Sequence, residues 1–149
     1  MPRTEESFDT LLGYLLSRAS NLVDKQFVQV LKGHGLTLPA WRVIASLSRN
    51  NDQPIVKLAS QALMQQPTLT KILERLESQD LVARRPDSND GRVYLVHLTR
   101  EGRRLVSVLT EQGRQLEKQD LAGLSATERR VLKRELRRLM EKLEAHKQS

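Results

Sequence analysis

The chain contains no cysteine. That excludes a disulfide framework, a thiolate-ligated zinc site and any thiol-based redox switch. Aromatic residues make up only 3% of its 149 positions. No run of about 18 apolar residues occurs, so no segment reads as a membrane-spanning helix. The opening stretch MPRTEESFDTLLGYLL carries Glu5, Glu6 and Asp9 where a secretory leader would be basic, and it reaches no small-residue cleavage site. The expectation is a cytoplasmic protein with no membrane partner. There is no Gly-rich phosphate loop, no H-E-x-x-H and no G-x-S-x-G. His34, His97 and His146 lie far apart and in different elements. Neither an enzyme, a metal site nor a cofactor is expected.

What the sequence has in excess is positive charge: 25 Lys and Arg against 18 Asp and Glu, a net +7. The surplus is spread along the chain rather than gathered in a tail. Chains of this kind commonly meet a polyanion, nucleic acid or an anionic surface, although a merely cationic soluble protein has the same composition. The length fits one domain, or one domain with a helical extension, and is enough for a core without metal or disulfide staples.

Helical periodicity dominates. Phe8, Leu11, Leu12, Leu15, Ala19, Leu22, Val23, Phe27, Val30 and Leu31 recur at three- and four-residue steps, predicting one long helix that stops near Gly33-His34-Gly35. Thr37 caps a second helix with Pro39 in its first turn and Trp41, Val43, Ile44 and Leu47 within. Arg49–Gln53 reads as a loop ending at Pro54, and a short helix follows. Pro67 opens the next helix, whose Leu69, Ile72, Leu73 and Leu76 form a single stripe. The period then changes to two. Leu81–Arg85 and Arg92–Leu98 read as strands around the turn-forming Pro86-Asp87-Ser88-Asn89-Asp90-Gly91. Thr99 caps a fifth helix, and Ser125-Ala126-Thr127-Glu128 fits a capping box before a sixth. Leu132, Leu136, Leu139 and Leu143 in that last helix form a coiled-coil-like seam.

A short helix, a tight turn, a second helix and a two-stranded ribbon, in that order, is the plan of a winged helix-turn-helix. In such a module the second helix reads the major groove. The segment QQPTLTKILERLESQDLVARRPDSNDGRVYLVHLTREGRRL resembles the core of the MarR family of bacterial transcriptional regulators. The wing pattern D-x-R-x-x-x-hydrophobic-x-L-T is present as Asp90, Arg92, Val96, Leu98 and Thr99. The helix pattern Q-P-T-x-T-x-x-x-x-R-L is present as Gln66, Pro67, Thr68, Thr70, Arg75 and Leu76. The flanking helices match as well. The resemblance implies a mainly α (α+β) fold: one domain over 1–149, with a winged helix-turn-helix at 37–99 and a two-stranded wing. Dimerisation helices would lie at 5–34 and 100–147. It also implies a homodimer on a pseudo-palindromic operator in double-stranded DNA, most often a repressor released by a small molecule. Two positions depart from the usual pattern. Leu63 replaces a frequent turn glycine, which suggests that the turn avoids a positive φ there. Asp80 replaces a frequent helix-ending glycine, at little cost because Asp tolerates the left-handed region.

With the stripe facing the core, Gln66, Thr68, Thr70 and Lys71 occupy the leading turns of the second helix, within reach of base edges. Arg75, further along, suits phosphate. The helix by itself could equally be a solvated face; the attached wing is what favours DNA. Arg92 at the wing tip can enter a narrow minor groove, with Asp90 orienting it, and Arg84 and Arg85 flank it as phosphate contacts. Tyr14, Arg18, His34, Trp41 and Arg42 form the candidate effector site, since the family's ligands sit between dimerisation helices and winged module. Its cationic and aromatic content points to a small organic anion such as an aromatic carboxylate, whereas the lack of cysteine excludes peroxide. A helical adaptor using the C-terminal leucine seam, without specific DNA binding, is the alternative. A membrane-surface role for the last helix is disfavoured because its apolar face has no Trp or Phe.

Overall fold

Each helix begins or ends where its sequence supplies the chemistry for it. The computed structural model describes residues 7–146. The outermost parts of the expected dimerisation segments, Glu5 and Glu6 at one end and Lys147 at the other, lie outside the described residues. A single 3-10 turn, Phe8–Thr10, precedes α1 (Leu12–Gly33); Thr37 then caps α2 (Leu38–Arg49) by accepting the Ala40 amide at 3.3 Å. Next come β1 (Gln53–Pro54), α3 (Ile55–Gln61), α4 (Gln66–Ser78), β2 (Val82–Pro86), β3 (Tyr94–Leu98), α5 (Arg100–Asp120) and α6 (Ala126–His146). The chain divides into two compact units, 1–113 and 114–149.

The core of the first unit is almost wholly aliphatic. Leu31, Val43, Ile44, Leu47, Leu58, Leu69, Leu73, Val96 and Leu109 are 0% exposed, with Leu76 at 1%. Helices α2, α3 and α4 meet there over the sheet. Truncating any one of the leucines to alanine would cost about 2–5 kcal/mol. Only Leu31 of α1 is fully buried in the chain, at the point where that helix ends.

The sheet has three strands, in the order β1-β3-β2, all antiparallel. The two-stranded wing, β2 and β3, is joined by a third, two-residue strand, β1. Gln53 and Pro54, expected to end a loop, pair with Val96 and Leu95 on the far side of β3. Two residues are too few to show a period, and the strand forms because β3 offers an open edge there. The Asn51 side chain extends the same edge, its Oδ1 accepting the Leu98 amide at 2.9 Å. The register of β2 on β3 runs from Val82 opposite Leu98 to Pro86 opposite Tyr94.

Leu63 has φ 58°, contrary to the expectation that this turn avoids the left-handed region. The chain must reverse between α3 and α4 within a few residues, and it does so by closing the Met64 amide onto the Ala59 carbonyl at 3.0 Å. Such a helix end needs a left-handed residue just after the cap. Leu63 accepts the conformation because its side chain stands 82% exposed. Asp80 ends α4 in the same way, at φ 57°, with the Leu81 amide bonded to the Leu76 carbonyl at 3.0 Å.

At the start of α5, Thr99 bonds in both directions: its Oγ1 accepts the Gly102 amide at 3.0 Å and donates to the Asp80 carbonyl at 2.6 Å. In the second unit the capping box is complete. Glu128 accepts the Ser125 amide at 2.7 Å, and Ser125 Oγ accepts the Glu128 amide at 3.2 Å. Those bonds hold the Glu128 carboxyl below its ordinary value, the backbone bond contributing most. Lys133 of α6 pairs with Glu117 near the end of α5.

Candidate nucleic-acid interface

Helix α4 turns its leucines inward and its polar residues outward by simple periodicity. Leu69, Leu73 and Leu76 are buried and Ile72 is half-buried, while Gln66, Thr68, Lys71, Glu74 and Arg75 are exposed. Thr70 is half-buried and donates its hydroxyl proton back to the Gln66 carbonyl at 3.0 Å. What it presents outward is therefore its methyl group. Gln65, at the N-cap, makes no side-chain capping bond. Pro67 fits the first turn, where it has no amide to lose.

The wing tip is organised by two aspartates. Asp87 Oδ1 accepts the Asn89 amide at 3.0 Å, closing an Asx turn. Asp90 Oδ1 accepts both the Arg92 amide and Arg92 Nε, each at 3.1 Å, and Oδ2 accepts a second guanidinium nitrogen at 3.4 Å. These bonds from the Arg92 side chain, and then from its backbone, hold the Asp90 carboxyl below its ordinary 3.8. The Arg92 side chain nonetheless stands 92% exposed. The expected Asp90–Arg92 pair is present, and it steers a solvent-facing guanidinium.

The other two wing arginines are engaged within the protein. Arg84 is half-buried, its Nε donating to Glu77 Oε1 of α4 at 2.6 Å. Arg85 grips Asp52 Oδ1 through Nε at 3.0 Å and through a terminal nitrogen at 2.8 Å. Asp52, at φ 54°, also lies 4.0 Å from His97 Nδ1. His97 is half-buried, and its Nδ1 has no hydrogen-bond partner. Glu77, Asp52 and Asn51 were not singled out from the sequence. Their partners lie 7, 33 and 47 residues away, and no local spacing signals such contacts.

Four of the five candidate effector residues have separate neighbours in the chain. Tyr14 lies against Phe8, ring centroids 5.4 Å apart, and Trp41 meets Phe27 edge-on at 5.3 Å. His34 Nε2 is 3.1 Å from Gln112 Oε1, Arg42 lies 3.9 Å from Asp24, and Arg18 is exposed. Among the described residues no helix is long and apolar enough to cross a membrane, and no group of His, Asp and Glu could hold a metal ion.

A MarR family model matches residues 36–94, which run from just before α2 to the first residue of β3. The chain is 30% identical over 131 residues to the HTH-type transcriptional repressor IacR of Pseudomonas putida, covering 88% of this chain and 78% of that one. A solved MarR family transcriptional regulator from Silicibacter pomeroyi superposes with TM-score 0.76 at 35% identity, covering 91% of this chain and 96% of the other. NadR, solved in complex with 4-hydroxyphenylacetate, superposes with TM-score 0.76 at 31% identity, covering 93% and 97%.

Proposed function

The chain belongs to the MarR family of winged-helix DNA-binding transcriptional regulators, and on that premise we propose how it binds its operator and what releases it. The observation that carries the reading is the pairing of two outward-facing surfaces. One is the exposed row Gln66, Thr68, Lys71 and Arg75 on α4; the other is the Asp90-braced Arg92 at the wing tip. Helix α4 enters the major groove, where Gln66 and Lys71 meet base edges, the Thr68 and Thr70 methyls suit thymine, and Arg75 meets phosphate. Arg92 enters the flanking minor groove, where negative potential is highest. Arg84 and Arg85 act mainly from behind, by fixing the wing against α4 and β1.

The protein acts as a homodimer, with 37–99 reading DNA and 5–34 and 100–147 forming the interface. Leu12, Leu15, Leu22 and Val23 of α1, and Leu132, Met140 and Leu143 of α6, are exposed in the single chain. Apolar surface on this scale calls for a covering partner. A second copy presents the same faces, as two-fold symmetry requires. Sedimentation at micromolar concentration should give a dimer, and deletion of residues 125–149 should give a monomer without tight DNA binding.

Release follows binding of a small organic anion, an aromatic carboxylate, at the Tyr14, Arg18, His34, Trp41 and Arg42 region. The related NadR structure with 4-hydroxyphenylacetate supports this class of ligand. The decisive experiment for the DNA reading is selection of bound fragments from random genomic DNA at two salt concentrations. A two-fold symmetric site with half-sites about 10 base pairs apart, bound more weakly at the higher salt, is expected. Recovery of no preferred sequence would reject it and favour the helical adaptor.

A further inference from the structure

Of the chain's one Trp, two Tyr and two Phe, four pair with one another: Phe8 with Tyr14, and Phe27 with Trp41. The remaining ring, Tyr94, stands 52% exposed at the first residue of β3. Among the described residues its hydroxyl has no hydrogen-bond partner.

The strand register fixes the side on which Tyr94 lies. Residues directly opposite in an antiparallel pair share a face, and each strand alternates faces. Val82 and Leu98, Arg84 and Val96, and Pro86 and Tyr94 are such pairs, so all of them lie on one face. That face meets α4. Val82, Val96 and Leu98 are buried in the core with Leu69, Leu73 and Leu76, and Arg84 bonds Glu77. Outward along it, burial falls from Val82 and Leu98, each 2% exposed, to Pro86 and Tyr94 in solvent. Tyr94 therefore sits beyond the core on the α4 side of the wing, between the Arg84–Glu77 bond and Arg92 at the tip.

In duplex DNA one sugar–phosphate strand separates a major groove from the minor groove beside it. With α4 in the one and Arg92 in the other, that strand must cross the part of the sheet between them. Tyr94 stands there with an unused donor. Pro86 opposite has no amide proton to offer, and Arg84, next along the face, is committed to Glu77. Cross-strand neighbours lie about 4.5–5.5 Å apart at Cβ, so the Pro86 ring leaves the phenol few directions in which to turn.

We propose that Tyr94 donates its hydroxyl proton to a backbone phosphate of the operator, on the strand between the groove read by α4 and the groove entered by Arg92. The contact reads no base; it seats the wing and so fixes the register of the two reading elements on the duplex. This rests on the reading of α4 and Arg92 as DNA contacts.

The test uses the full-length protein and the DNA site selected from genomic fragments. Tyr94→Phe removes one oxygen and keeps the ring. It should weaken binding about tenfold, by a similar factor on every single-base variant of the site. The slope of log affinity against log salt should not change, because a neutral donor displaces no counterion. Replacing the operator phosphates one at a time by methylphosphonate should reveal a position in each half-site at which the wild type and Tyr94→Phe bind alike. Urea unfolding of the variant should match the wild type. Wild-type affinity in Tyr94→Phe, a loss confined to particular base pairs, a difference that persists at every modified phosphate, or a loss accompanied by lower stability would each overturn the proposal. If a preferred site is recovered and Tyr94→Phe binds it normally, this contact alone fails. If no DNA sequence is preferred, the DNA reading fails and the contact fails with it.

Discussion

Arg84 of β2 donates to Glu77 of α4 across 2.6 Å, from a half-buried position, so the strand that carries the wing is tied to the helix proposed to read DNA. The sequence suggests a phosphate contact for Arg84; its bond to Glu77 supports a bracing role as well. The two roles differ in their salt dependence. A lost phosphate contact reduces the slope of log affinity against log salt by about 0.9. Glu77→Gln and Arg84→Ala should instead weaken DNA binding to a similar extent while leaving that slope unchanged. A reduced slope in Arg84→Ala alone would restore the phosphate reading.

At the wing tip, the pairing that holds the Asp90 carboxyl below 3.8 defines a pH window. A depressed carboxylate stabilises the folded arrangement above its unfolded value, and that contribution is lost as pH falls through the lowered one. The Arg92 Nε–H NMR signal should therefore stay constant from about pH 8 to 5 and change only below about pH 4. Arg92→Ala should weaken binding about tenfold or more on sites with A·T-rich flanks and less on others. Asp90→Asn, which keeps an acceptor but loses the charge, should fall between the two proteins.

Lys71 is exposed in the second turn of α4 and carries no internal bond. Lys71→Ala should relax base preference at defined operator positions by about 1–3 kcal/mol, measured by competition between single-base variants. A uniform loss across all variants would make Lys71 a phosphate contact.

Gly102, in the first turn of α5, permits a close approach that no larger residue allows. A Cβ there would lie 2.0 Å from the Leu81 carbonyl oxygen, which also accepts the Thr99 amide at 3.1 Å. Gly102→Ala must move backbone rather than a flexible side chain. It should cost about 1–3 kcal/mol in urea unfolding. Unchanged stability would mean that α5 can slide along the sheet freely.

Leu63 carries its left-handed backbone at a cost that glycine would remove. Leu63→Gly should raise stability by up to about 1 kcal/mol, because left-handed geometry costs an L-residue roughly 1–2 kcal/mol and this side chain packs against little. DNA affinity should be unchanged. Destabilisation instead would show that the exposed leucine is covered in the dimer.

The helices, the caps and the wing are legible in the order of residues. Each depends on residues close together in the chain: the leucine stripe of α4, Thr37 and Ser125 as caps, and Asp90 two positions before Arg92. Periodicity and short-range hydrogen bonds are local physics and can be read without coordinates. Other features depend on distant segments meeting in the fold. The strand at Gln53–Pro54 exists because β3 has a free edge, and the engagement of Arg84 and Arg85 exists because Glu77 and Asp52 arrive beside them. The positive φ at Leu63 follows from the short path between α3 and α4, and the need for glycine at 102 follows from the Leu81 carbonyl lying against that helix. In each case the deciding partner is set by how elements pack, and packing brings together residues whose spacing along the chain carries no period to reveal it.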